Sequence, residues 1–358
     1  MNTTSQALAA VKPARDFTFI KPQRRRLTEY EALTVHQQPD PLDFDRPHGN
    51  LDVTEWYLLR ADGSPLWRPE STRLRHSDWF AYRDPAQQWQ RTYVRHQEQQ
   101  ESSIERITED AGLDGSLAEL DPRWIAKVLC GHYRPWSFFE YAIFRTLAAA
   151  QREALSDTLG NVLCFQSFDH LRHAQDVIIY LVELEHYNAA VTDAAGKEAW
   201  LNSPVYQPSR GFAEQIMATS DWGELMVGLN LVVGPLLQQM ATSELVRRNA
   251  LSNHDAVAPF IVMTAERDRR RNLAATQAFV NMVTDPQCAD AEYNRAVIQE
   301  WLDAWTVRAE AATCALAPVF EAAPNPSIGF SQAHAAARAA TAGIIQDLGF
   351  HFALGATT

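Results

Sequence analysis

Acidic and histidine side chains stand in the middle of long, apolar stretches of this sequence. The segment Asp169–His173 reads Asp-His-Leu-Arg-His and lies within a stretch, 162–190, that contains no glycine or proline. Residues three apart lie near one face of a helix, so His170 and His173 are expected to point the same way. Glu140 stands earlier, between aromatic side chains. Buried acids and histidines at such spacings are typical of a carboxylate-bridged di-iron bundle, in which hard carboxylates bridge and neutralise two highly charged iron ions.

Such a bundle requires a glutamate from each of two helices and a Glu-x-x-His pair from each of the other two. This chain offers only part of that set. Glu140 is available as the first glutamate, but His170 stands where the next carboxylate is required, with His173 in the histidine position. The spacing of a di-iron site is therefore present, but the carboxylate required at position 170 is replaced by a histidine.

The remaining two ligand helices also depart from the pattern. The helix predicted at 222–248 has no carboxylate from Leu225 to Ser243. On the next one, Asp268 and Arg271 have the Glu-x-x-His spacing, but an arginine keeps its proton and cannot ligate iron. We expect basic side chains to replace the positive charge of the metal, with Arg271 and His173 within hydrogen-bond reach of Glu140 or Asp268, so that no metal is bound. The vestigial-site positions are Glu140, His170, His173, Asp268 and Arg271.

Two other interpretations of these residues stay open. A second Glu-x-x-His pair, Glu183 and His186, lies out of register with the first and is more typical of a solvated pair on a helix surface. A stand-alone ferritin-like oxidase could use Glu140, His170, His173 and Asp268 as atypical ligands of one metal. The metal content of the isolated chain separates that enzyme from a non-catalytic protein.

Helical patterning dominates the elements that would position these residues. Asp84-Pro85 and Asp121-Pro122 each predict a helix start, because aspartate caps a helix and proline suits its first position. Asp285-Pro286 predicts a helix end. No alternation of strands with helices and no repeat of fixed period is present, so the fold class is all-α. Helices or helix-compatible stretches are predicted at 138–158, 162–190, 222–248, 260–283, 291–318 and 331–347.

Composition excludes several classes of function. With 32 basic and 44 acidic residues the net charge is −12, which argues against a protein that wraps nucleic acid. The longest apolar run, Leu225–Leu237, is shorter than the ~20 residues of a membrane helix. No targeting segment is expected, and neither a nucleophile elbow nor a phosphate-binding loop is present. The chain has four cysteines and no CxxC pair, so we predict reduced thiols in the cytoplasm. These cysteines are Cys130, Cys164, Cys288 and Cys314.

The first part of the chain differs from the rest. Prolines recur through residues 1–50 and would break any long helix there, and Arg24–Arg26 form a short basic run. We therefore predict an irregular N-terminal arm over 1–50 and a single helical domain over 51–358. The basic run is either a solvated arm or a segment that docks on a partner chain.

The motifs together resemble those of the β subunit, or small hydroxylase subunit, of the soluble bacterial multicomponent di-iron monooxygenases. That family includes the methane, propane, alkene, isoprene, toluene and phenol hydroxylases. Two motifs are specific: Asp-Trp-Phe-Ala-Tyr-Arg-Asp-Pro at 78–85 and Asp-Trp-Gly-Glu-Leu at 221–225. The resemblance covers roughly residues 20–320, and its other motifs lie at 24–31, 89–93, 169–175, 230–232 and 265–273.

The resemblance implies a ferritin-like, ribonucleotide-reductase-like helical bundle with a long irregular N-terminal arm and extra C-terminal helices. It implies that this chain is non-catalytic, carries no cofactor, and braces an iron-bearing α subunit in an (αβγ)₂ assembly. The di-iron centre of the α subunit would oxygenate a hydrocarbon: an alkane, an alkene or an aromatic compound. Electrons from NADH or NADPH would arrive through a reductase, and a small effector protein would gate the site. No nucleic acid or membrane is implied, and the catalytic motif Asp-Glu-x-Arg-His of α subunits has His170 here in place of its glutamate.

Overall fold

The computed structural model describes residues 28–35, 63, 68–192 and 194–354. The chain divides into two units, Met1–Trp67 and Arg68–Thr358. In the first unit a short helical turn, Glu31–Val35, begins with a reciprocal cap: Thr28 N–H donates to the Glu31 carboxylate, and Glu31 N–H donates to the Thr28 hydroxyl. Arg24–Arg26 and the predicted boundary at residue 50 lie outside the described residues, so the arm stays a prediction.

The described residues of the second unit form helices joined by turns and loops, and they contain no strand. This confirms the all-α class. Its helices are α1 Gln90–Leu113; α2, formed by Pro122–Trp124, Ile125–Tyr133 and Arg134–Ala150 in succession; α3 Asp157–Glu185; α4 Ala194–Asn202; α5 Gln207–Ala218; α6, formed by Trp222–Gly228, Leu229–Arg247 and Arg248–Ala250; α7 Ala258–Val283; α8 Ala291–Cys314; α9 Ala317–Ala322; and α10 Phe330–Asp347.

Helix boundaries follow the sequence signals in two of three cases. The Asp121 carboxylate accepts the Arg123 N–H at 2.8 Å, so Asp121-Pro122 opens α2 as predicted. Helix α7 ends at Val283, just before Asp285-Pro286. The helix start predicted at Asp84-Pro85 is wrong, because α1 begins only at Gln90. The Asp84 carboxylate instead accepts the N–H groups of Ala86 and Gln88, and these bonds hold a turn.

Helices α2, α3, α6 and α7 surround the interior, and α8 and α10 pack against α6. Helix α6 is apolar nearly all round, with Leu225, Leu229 and Leu236 almost fully buried. By length and composition, the helical stretch Trp222–Asn253 could cross a membrane, but 83% of its most apolar window is buried inside the fold. That burial is the property of a central core helix.

Two of these helices contain widely wound π-helical segments, and both segments adjoin a proline. Ile125–Tyr133 of α2 precedes Pro135, and Leu229–Arg247 of α6 contains Pro235. Proline has no N–H and crowds the preceding turn, so a wider winding accommodates it. These segments carry Tyr133 and bring side chains of α6 into the interior, where the candidate site lies.

The segment before α1 that contains Trp79 packs onto the same bundle. Trp79 lies 5.4 Å from Trp222 of α6 and 6.4 Å from Phe279 of α7, measured between ring centroids. Trp222 also donates its indole N–H to the Ser71 hydroxyl at 3.0 Å. The motifs at 78–85 and 221–225 therefore meet in space, as parts of one aromatic contact.

Candidate functional site

The Glu140 carboxylate is the centre of a hydrogen-bonded cluster between α2, α3 and α6. It is only 1% exposed. His170 Nδ1 lies 2.6 Å from Glu140 Oε2, and His173 Nδ1 lies 3.5 Å from Oε1. Trp136, one turn earlier on α2, donates its indole N–H to Oε1 at 2.9 Å. The structure thus brings together Glu140, His170 and His173, as the sequence predicted.

The amide of Gln238 completes this cluster from α6, and the sequence analysis missed it. Its Nε2 donates to both oxygens of Glu140, at 2.9 and 3.1 Å. A di-iron bundle requires a carboxylate ligand from this helix, whereas α6 provides the amide of Gln238. The apolar run around Gln238 was the available signal, because a lone amide in a buried helix must find a partner.

His170 donates a hydrogen bond to Glu140, and the His173 imidazole lies beside the same carboxylate. Burial lowers the pKa of His173, which keeps its imidazole neutral near pH 7. The neighbouring Tyr133 hydroxyl is 2.9 Å from His173 Nε2, so the network fits a tautomer with the proton on Nδ1, facing Glu140. Burial alone would raise the pKa of Glu140, but the two imidazoles hold it well below its ordinary value. Glu140 is therefore an anion whose lone pairs are already occupied.

A second cluster, between α1, α3 and α7, pairs buried aspartates with arginines. Arg271 donates to Asp268 Oδ1 at 3.1 Å and to the Asp169 carboxylate. Arg172 donates to the other Asp268 oxygen and to Asp176. The predicted pairing of Arg271 with Asp268 is confirmed, whereas Glu140 has no arginine among its hydrogen-bond partners.

Asp169 and Arg172 are site residues that the sequence analysis did not assign, although both lie in the Asp-His-Leu-Arg-His segment. Their positions, one before His170 and one before His173, turn them toward α1 and α7. There the Tyr93 hydroxyl and the Asn272 amide donate to Asp169 at 3.0 and 2.9 Å. The segment therefore contributes residues to both clusters: its histidines belong to the first, and Asp169 and Arg172 belong to the second.

Burial raises the pKa of Asp268, and the nearby Asp169 charge raises it further, while the arginines lower it. Burial likewise raises the pKa of Asp176 to about 7, although Arg172 opposes the shift. Three buried aspartates, Asp169, Asp176 and Asp268, thus share the two guanidinium groups of Arg172 and Arg271. Asp176 and Asp268 are each hydrogen-bonded to an arginine within the cluster, so neither is a free carboxylate.

The donor set does not fit a di-iron centre. A cavity of about 10 Å³ lies between the two clusters, lined by residues of both and by Arg269, and it has room for one water molecule at most. An imidazole and an amide stand where bridging carboxylates would be required. Arginines supply the positive charge on α7. This arrangement can rigidify the interior, but it lacks the ligands that hold two iron ions.

The other residues singled out from the sequence lie outside both clusters. His186 is exposed at the end of α3 and interacts with the Val182 carbonyl. Its Glu-x-x-His pairing with Glu183 therefore belongs to the surface. Phe139 and Leu229 are buried in the interior, whereas Phe168 is 45% exposed.

Comparisons of the sequence with known proteins agree on one family. A family model described as Methane/Phenol/Alkene Hydroxylase matches residues 56–286. The chain is 31% identical to the methane monooxygenase component A beta chain of Methylococcus capsulatus, over 80% of this chain and 74% of that protein. It is 29% identical to the propane 2-monooxygenase hydroxylase component small subunit of Rhodococcus jostii, over 97% of this chain and 93% of that protein.

Solved structures show the same fold. A chain of phenol hydroxylase from Pseudomonas sp. OX1 has a TM-score of 0.74 at 19% identity, covering 91% of this chain and 92% of that one. A chain of toluene 4-monooxygenase has a TM-score of 0.68 at 24% identity, covering 84% and 98%. These neighbours are helical bundles of the ferritin-like type, so the predicted fold class is confirmed.

Proposed function

Because the chain belongs to the Methane/Phenol/Alkene Hydroxylase family, we propose that it is the non-catalytic small subunit of the hydroxylase component of a multicomponent monooxygenase. One observation carries the non-catalytic role. The positions that would hold iron in a ferritin-like bundle are occupied by a hydrogen-bonded network of histidine, glutamine, arginine and aspartate. A chain of this kind contributes to the reaction through assembly.

The iron and the oxygen chemistry belong, on this proposal, to a larger partner subunit. That partner would insert one atom of dioxygen into a hydrocarbon and release the other as water. The names of similar proteins give propane, methane and toluene as compounds acted on, which supports a hydrocarbon substrate of the assembly. We further propose a small γ subunit, an effector protein and a reductase supplied by NADH or NADPH as additional components, all in the cytoplasm.

An exposed apolar stripe supports a bracing role. Phe168, Ile179 and Val182 lie on one side of α3 and are 45%, 63% and 52% exposed. Their spacing places them on a common helix face. Large apolar side chains grouped in this way are typical of surfaces that another protein covers. The same helix carries the buried clusters on its other side, so its inner network would stiffen the face that meets the partner.

The metal content of separated subunits tests this proposal. We expect iron to follow the larger subunit, with substoichiometric iron on this chain after dissociation of the complex. A complex carrying His173→Ala should keep the iron content of the wild type, because His173 binds Glu140 rather than metal. Tyr187→Phe changes an exposed side chain just after the C-terminal end of α3, and it is the matched control for iron lost during purification. Stoichiometric iron on this chain that disappears in His173→Ala would contradict the proposal and favour a stand-alone oxidase.

A further inference from the structure

Three side chains of different metal-binding types converge where the C-terminal end of α8 meets α10. Glu310 and Cys314 are one turn apart on α8, and His334 lies on α10. The three ligand atoms all lie within 4.8 Å of one another. His334 Nε2 is 3.0 Å from Glu310 Oε2. The Glu310 and His334 side chains are 16% and 14% exposed, and Cys314 is exposed, so the cluster is open to solvent on one side.

We propose that Glu310, Cys314 and His334 form a binding site for a single borderline divalent cation of the zinc class. Zinc takes thiolate, imidazole and carboxylate ligands in tetrahedral geometry. Three protein ligands leave the fourth position for water. Hard cations such as magnesium and calcium prefer all-oxygen sites, so a thiolate and an imidazole select against them.

The electrostatics of the cluster favour a cation. The Cys314 sulfur and a Glu310 carboxylate oxygen lie within 4.8 Å of each other, and a cation between them would offset the negative charge that both ligands carry when they bind it. Cys314 is also the last residue of a 24-residue helix, whose C-terminal end carries partial negative charge.

The neighbouring arginine leaves room for this role. Arg338 Nη1 is 3.4 Å from Glu310 Oε1, and its Nη2 donates to the Leu354 carbonyl at 2.9 Å. The His334 contact is made by the other oxygen, Oε2. A cation on the Oε2 side would therefore compete with the imidazole proton and not with the guanidinium.

The position of His334 is defined by packing. Its ring stacks on Phe330, one turn earlier on α10, with centroids 5.2 Å apart. An imidazole held in this way needs little reorganisation to become a ligand. Since the ligands come from two helices, an occupied site would tie α10 to the end of α8.

Cobalt titration of the full chain, stripped with a chelator, tests the site. We expect a thiolate-to-cobalt charge-transfer band that zinc abolishes, and a thermal midpoint that rises in zinc. Cys314→Ser should remove the band, and His334→Gln should weaken binding. Outer partners alone are worth about 10- to 100-fold in metal affinity, so loss of a direct ligand should cost at least as much. Cys288→Ser, a change at another cysteine, is the matched control and should leave the band unchanged.

Three outcomes would overturn the proposal. The first is the absence of a charge-transfer band in the wild type, which would leave the three residues as a hydrogen-bonded clamp between helices. The second is a band that persists in Cys314→Ser. The third is a band lost in Cys288→Ser, which would place the thiolate elsewhere. Cys314 is exposed, so Cys314→Ser is expected to fold, and its unchanged thermal midpoint without metal verifies this.

Discussion

Truncation of Arg271 to alanine tests whether the buried charge network holds the interior together. The Arg271 side chain is 15% exposed, and its acids Asp169 and Asp268 are 5% and 3% exposed. The change removes the cation shared by these two carboxylates. Arg172 stays bound to Asp268, so one acid loses its only guanidinium and the other loses one of two.

The expected destabilisation is about 3 kcal/mol, the lower end of the range for breaking a buried pair. The lower end applies because Asp169 keeps hydrogen bonds from Tyr93 and Asn272. The cost should shrink as the pH falls. Burial already raises the pKa of Asp268, and loss of Arg271 raises it further, so this carboxyl takes up a proton at a higher pH and the excess negative charge of the cluster falls.

Thermal melts of the assembled hydroxylase measure this effect. Arg270→Ala is the matched control, since Arg270 is an exposed neighbour and its loss should change stability by less than about 0.5 kcal/mol. A double variant, Arg271→Met with Asp169→Leu, should recover much of the loss, because it removes an acid together with its cation. An Arg271→Ala variant that melts like the wild type would refute the reasoning, as would a double variant that is worse than the single one.

Three further predictions concern pH, assembly and solubility. Burial raises the pKa of Asp176 from 3.8 to about 7, so below pH 7 the native state holds a proton that the unfolded chain releases. In urea unfolding, the free energy of unfolding of the wild type should therefore fall relative to that of Asp176→Asn as the pH rises to about 7. The fall should reach up to about 1.4 kcal/mol per pH unit and then level off. Deletion of residues 1–27 should weaken binding of the catalytic subunit in a pull-down while leaving the circular dichroism of the helices nearly unchanged; loss of helicity would show that the arm belongs to the fold. The chain without its partner should self-associate through exposed apolar residues such as those on α3, and a single monomeric species in sedimentation would count against an obligate interface.

The helical framework could be predicted because its signals are local. Long stretches without glycine or proline, and caps such as Asp121, act within one or two turns. Asp84-Pro85 carries the same signal as Asp121-Pro122, yet it forms a turn. The difference is that the Asp84 carboxylate binds two N–H groups in the loop, with Gln87 in the left-handed region at φ 49°. A dipeptide cannot reveal which of these bonds the chain will make.

The candidate site was predicted only in part, because its partners are chosen by helix packing. Residue type identified Glu140, His170 and His173, and spacing placed them together. Gln238 was not predicted because a di-iron pattern requires a carboxylate on this helix and not an amide, and because the π-helical winding of α6 alters which of its side chains face inward. Arg172 was not assigned: its bond to Asp176 follows from i,i+4 spacing on one helix, but its bond to Asp268 depends on how α3 and α7 pack together.

The internal network of α2, α3, α6 and α7 has a consequence for biogenesis. Its anions find their counter-charges and hydrogen-bond donors within the same polypeptide, at Gln238, Arg172 and Arg271. The buried acids of these helices therefore need no metal ion between the two clusters to balance their charge as the interior folds. On the proposed function, a shortage of iron would limit the supply of active catalytic subunits and not the supply of folded chains of this kind.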